Sequence, residues 1–137
     1  MPKLIFCLAT ENVITDSSTN LISAMNIVSK IQATVFPSVK PVIHLLMYWR
    51  KEGPITQSES LALKVRIKYP TKGYLDHPQG TVESEIPAGK RTLRVISKME
   101  GLPLKEVGTM EFVVKQRVTG GWKKVGSFPV DVIKTTP

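Results

Sequence analysis

Apolar and polar residues alternate along most of this chain, most clearly in its last quarter. From Val107 to Lys134, Met110, Phe112, Val114 and Val118 share one parity, and Glu111, Lys115 and Arg117 take the other. After Gly120-Gly121 the chain returns with Phe128, Val130 and Val132 again on one parity. Period-two alternation broken by a glycine turn predicts a β-hairpin with one buried face. Leu61 to Tyr69 repeats the pattern, with Leu61, Leu63, Val65, Ile67 and Tyr69 against Lys64, Arg66 and Lys68. Val42 to Trp49 carries no charge and predicts a central strand. Lys3 to Val13 is apolar on both parities, Leu4, Phe6 and Leu8 against Ile5, Cys7 and Ala9. Such a strand is covered on both sides, by the core and by a partner.

The remaining segments follow the same rhythm. Leu21 to Ile31 alternates as a strand, and as a helix it would place Leu21, Met25 and Val28 on one face. The β-branched Ile22, Ile27, Val28 and Ile31 favour the strand. Thr81 to Ile86 and Arg91 to Lys98 are further strands, separated by the turn Pro87-Ala88-Gly89. Pro70 to Gly80 reads as a loop, and Gly101 to Gly108 as a connector. The total is about eight strands, which predicts an all-β, two-sheet sandwich of about 7–9 mostly antiparallel strands. A length of 137 residues predicts one domain over 1–137.

A family likeness can be placed on these residues. FCLATENVITDSSTNLISAMNIVSKI, then Phe36-Pro37 and an apolar strand, resembles the opening of an uncharacterised family of small bacterial domains. The closing GTMEFVVKQRV and FPVDV are similar to that family's G-x-Y-x-F strand and final hydrophobic strand, with Met110 where a Tyr is common. The resemblance implies an immunoglobulin-like β-sandwich and implies no activity.

Composition adds compartment and partner. The apolar run Leu4 to Ala9 is shorter than the ~7–15 residues of a signal-peptide core or the ~20 of a membrane span. It reads as a first strand, and a cytoplasmic protein is expected. The single Cys7 forms no internal disulfide and suits a reducing compartment. The net charge of +8 favours anionic partners, although outward positions of a wet sheet are ordinarily charged.

No catalytic motif is present, and no cofactor is implied. Cys7 sits in an apolar strand, where burial makes a thiol inert. His44 lies mid-strand among apolar residues and reads as structural. The exposed loop residues Tyr74, Asp76 and His77 form a candidate loop site. Lys64, Arg66, Lys68, Arg94, Lys115 and Arg117 would make a basic outer face if their strands share a sheet. Tyr74 and Trp122 would be its exposed aromatics. Ile96, Val113 and Ile133 fall on solvent-facing parities and are candidate interface residues. The sequence therefore predicts a non-enzymatic interaction or assembly module, a homo-oligomer or a partner of another protein. Binding of nucleic acid or anionic lipid through the basic face is the alternative.

Overall fold

The computed structural model describes residues 1–136, and at Met25 the backbone only. Ten strands lie among the described residues. In chain order they are β1 (Lys3–Thr15), β2 (Ile22–Ile27), β3 (Lys30–Ala33), β4 (Ser38–Arg50), β5 (Glu59–Lys68), β6 (Tyr74–Asp76), β7 (Val82–Ile86), β8 (Thr92–Leu104), β9 (Gly108–Val118) and β10 (Gly121–Lys134). One sheet has the order β2-β1-β4-β8. The other runs β3-β10-β9-β5-β6, with β7 also paired to β5. β3 and β10 are parallel, and the other pairs are antiparallel. No helix among the described residues is long and apolar enough to cross a membrane.

The alternation sets the core. Ile43, Leu45, Met47 and Trp49 of β4 face inward in one sheet. Leu61, Leu63, Val65 and Ile67 of β5, with Met110, Phe112 and Val114 of β9, face inward in the other. Each large side chain buried this way contributes about 1.5–3 kcal/mol of hydrophobic stabilisation. The Gly120-Gly121 turn takes positive φ at both glycines, 90° and 146°, which favours glycine there.

Ten strands exceed the expected 7–9, and the two additions have local causes. Leu21 to Ile31 is extended, as expected, but divides between the sheets. The Val28 N–H donates to Ala9 O in one sheet (2.8 Å), and Ser29 O accepts from Asp131 N in the other (2.9 Å). The Pro70–Gly80 loop also holds a short strand, β6, whose Leu75 pairs with Ile67. The expected connector Gly101–Gly108 is largely strand, because β8 runs on to Leu104 opposite Ser38.

The β1–β2 hairpin does not continue the sheet outward. β1 pairs with β4 only as far as Thr10, and with β2 from Thr10 on. Extended from Phe6 to Thr15, β1 would carry the hairpin tip about 30 Å away from Phe6. Instead Asn20 O accepts a 2.6 Å bond from Arg94 Nη1, and Arg94 lies opposite Tyr48, which lies opposite Phe6. The hairpin therefore doubles back over the outer face of the four-stranded sheet. The bend falls near Glu11 and Asn26. Asn26 has φ 58°, and Glu11 O bonds His44 Nδ1 at 3.0 Å. Leu46, on the outer face between Leu8 and Ile96, is 2% exposed although it lies outside the core cluster. Asp16 ties the tip through Ser18 Oγ (2.8 Å) and Ser18 N (2.9 Å), and these bonds hold its carboxyl below the usual aspartate value.

Candidate functional site

The two outer sheet faces differ in chemistry. On the six-stranded sheet, Lys64, Lys115 and Lys124 sit side by side across β5, β9 and β10. Like charges directly opposite one another repel. Acids offset much of this. Arg66 pairs with Asp76 at 2.7 Å, Arg117 with Glu83 at 3.1 Å and Lys124 with Glu111 at 3.8 Å. The rings are occupied too. Lys64 Nζ lies 4.4 Å and the Arg117 guanidinium 5.1 Å from the Trp122 ring centroid, and Arg66 lies 4.4 Å from that of Tyr74.

The sequence-predicted residues do not all meet. Lys64, Arg66, Lys68, Lys115 and Arg117 share the six-stranded sheet, whereas Arg94 stands on β8 in the other. Parity shows which face a side chain takes, not which sheet it belongs to. The candidate interface residues separate in the same way. Ile96 is exposed on β8. Val113 is on β9 and only 3% exposed, with Arg66 and Ser127 as register partners, so it offers no contact surface. Ile133 is half-buried on β10 opposite Gln32 of β3.

The loop site also divides. Tyr74 and Asp76 are exposed, but His77 is buried at 6% exposure rather than open to solvent. Its Nδ1 accepts from Gln79 N at 3.0 Å, and its Nε2 faces Lys98 O at 3.0 Å, a pairing that fits the Nε2–H tautomer. His77 thus pins the loop to β8.

Cys7 is half-buried on the inner side of β1, and burial pushes its thiol up. A raised thiol carries little thiolate near neutral pH. Native protein should therefore react with a maleimide or disulfide reagent at about one-tenth the unfolded rate or slower, as followed by mass spectrometry. A native rate above the unfolded one would restore Cys7 as a candidate nucleophile.

No protein-family model matches the chain. A search of curated proteins finds no match. Among solved structures, the chain is similar to the PmoD soluble domain from Methylocystis sp. ATCC 49242 (Rockwell), at 17% identity and a TM-score of 0.32. That match covers 96% of this chain and 97% of the other. A likeness this slight carries neither topology nor function across.

The four-stranded sheet holds what the other face lacks. Among the described residues, the large exposed apolar side chains within its strands are Ile5, Phe6 and Ile14 of β1, Ile27 of β2, Val39 of β4 and Ile96 of β8. The six-stranded sheet adds only Tyr74, whose ring lies under Arg66. Phe6 and Tyr48 stack across β1 and β4, with centroids 5.3 Å apart and planes 7° from parallel. Nothing in the uncharged run Val42 to Trp49 marks Tyr48 as facing outward. The double apolar parity of β1 was the available signal that its neighbours also carry apolar groups outward.

Proposed function

We propose that the protein is a non-enzymatic, immunoglobulin-like interaction module that self-associates through its four-stranded sheet. The supporting observation is that, among the described residues, nearly all exposed apolar strand residues belong to that sheet, with Ile96 on its edge strand. β8 is 13 residues long and has a strand partner on one side only. His77 and Tyr69 bond Lys98 O and Pro103 O of β8, and the part of its unpaired side nearer Ile96 favours pairing with a second copy. A two-fold arrangement brings the same patch of both copies together. Cys7 raised by burial, and His44 and His77 bonded to backbone groups, support a role without catalysis. The lone Cys7 fits the reducing cytoplasm, which we propose as its location.

Salt separates this reading from polyanion binding. Each copy carries +8, so screening strengthens self-association, whereas binding to nucleic acid weakens steeply with salt. Sedimentation velocity between about 50 and 300 mM salt should show a dimer favoured by the higher salt. Ile96→Asp should weaken it about a hundredfold by burying an unpaired carboxylate. An Ile96→Asp protein with unchanged mass would sink the proposal, as would a monomeric wild type at about 100 µM, near −5.5 kcal/mol.

A further inference from the structure

The folded-back hairpin leaves an open cleft of about 650 Å³ between its tip and the outer face of the four-stranded sheet. Phe6 and Tyr48 line it as a stacked pair, and Leu21 and Ile22 line it from the hairpin. Lys90 and Arg94 also line it, and no acidic side chain does. We propose that this cleft binds a small aromatic carboxylate.

Three features carry the proposal. The volume lies in the ~300–1,000 Å³ range of small-molecule sites. Phe6 and Tyr48 stack on each other, and the pair leaves an outer ring face on which a planar group can stack in turn. The two cations supply the orienting charge. Neither Lys90 nor Arg94 belongs to an ion pair among the described residues. Arg94 gives Nη1 to Asn20 O at 2.6 Å, and a guanidinium has five N–H donors, so a carboxylate can still be met by charge-assisted bonds.

Charge also decides between occupants. A second copy seated here would bring Lys90 and Arg94 of both copies together. An apolar anion neutralises them instead, and it covers Phe6 and Leu21, which are 41% and 68% exposed. The same bond between Arg94 and Asn20 holds the hairpin tip over the cleft, so the residue that would meet the ligand also positions its wall. Ile96 lies two residues beyond Arg94 on the same face of β8, so the cleft borders the proposed self-association surface without using Ile96 itself.

The test is a titration of the full chain, followed by amide chemical shifts, with 2-naphthoate and with its cationic counterpart 2-naphthylmethylammonium. The anion should give saturable shifts at Phe6, Leu21, Ile22, Tyr48 and Arg94, and the cation should bind at least about tenfold more weakly. Lys90→Gln should weaken 2-naphthoate binding about fivefold or more. Lys90 makes no side-chain bond among the described residues, and the hairpin tip is held by Arg94, so this variant leaves the hairpin in place. Phe6→Ala should abolish saturation. Equal binding of anion and cation would overturn the proposal. So would an unchanged affinity in Lys90→Gln, or no saturable shift up to about 5 mM 2-naphthoate, near −3 kcal/mol.

Discussion

Phe112→Ala is expected to lower the unfolding free energy by about 3–5 kcal/mol. The ring is 1% exposed on β9, between Ile67 of β5 and Phe128 of β10. With Ile43, Leu45 and Met99 it lines a narrow gap between the two sheets. Removing it opens a cavity that rigid strands on three sides cannot refill, so the transfer and cavity costs add. Single domains have only about 5–15 kcal/mol in total. Urea unfolding of Phe112→Ala beside Val113→Ala makes the comparison specific. Val113 is as deeply covered, but by the outward side chains of the six-stranded sheet, and should cost about 1–2 kcal/mol. Equal losses at the two positions would contradict the placement of the core.

Lys51→Met should cost about 2–4 kcal/mol, although methionine nearly matches the lysine in size. Lys51 follows β4 and is 1% exposed, yet its ammonium is not idle. It donates to Pro87 O at 2.9 Å and Ile55 O at 3.2 Å. Arg91 donates to Gly53 O at 2.9 Å beside it, and Glu59 accepts from Gly53 N at 2.7 Å. The variant takes a charge-assisted bond from each of two carbonyls, which keep only the backbone N–H of Gly89 (to Ile55 O, 2.7 Å) and of Lys90 (to Pro87 O, 3.1 Å), and the loss of both bonds exceeds the gain from hydrophobic replacement. It also changes the response to acid. Burial pushes the Glu59 carboxyl up, but the amides of Gly53 and Glu52, the N-terminal ammonium and Lys51 together bring it below its ordinary 4.5. A depressed carboxyl stabilises the fold fully above its unfolded value and ceases to do so as pH falls through the folded one. Unfolding curves from neutral pH to below 4.5 should therefore lose less stability to acid in Lys51→Met than in wild type. An unchanged stability at neutral pH would mean that the ammonium is not needed where it lies.

The strands that alternate cleanly were legible. Val42–Trp49, Leu61–Tyr69 and the Val107–Lys134 hairpin all became long strands around the core, because one dry face forces period two. What stayed hidden was relation in space. Nothing in Ile27-Val28-Ser29 announces that the chain leaves one sheet and enters the other there. Arg94 and Lys64 look alike in sequence, and only the strand order puts them on opposite sides of the sandwich. Gly101 reads as a break, but it sits within β8 at φ 69°. His77 looked exposed because prolines and glycines surround it. Its burial comes from a carbonyl 21 residues away, at Lys98. The cleft was equally hidden, because it requires a hairpin that folds back on its own sheet.

The parallel pairing of β3 with β10 bears on the order in which the molecule can assemble. Asp131 lies beside Lys30 and Lys134 beside Ala33, so this contact joins segments about a hundred residues apart. Such contacts form late, since the intervening chain must be ordered first. During synthesis, β1, β2 and β4 can associate while β3 still has no strand to pair with. The sheet switch at Val28-Ser29 would then wait, half-anchored, until the final strand arrives. A chain cut after Pro129 should keep most of its core residues and still fail to close, leaving β3 without a strand partner.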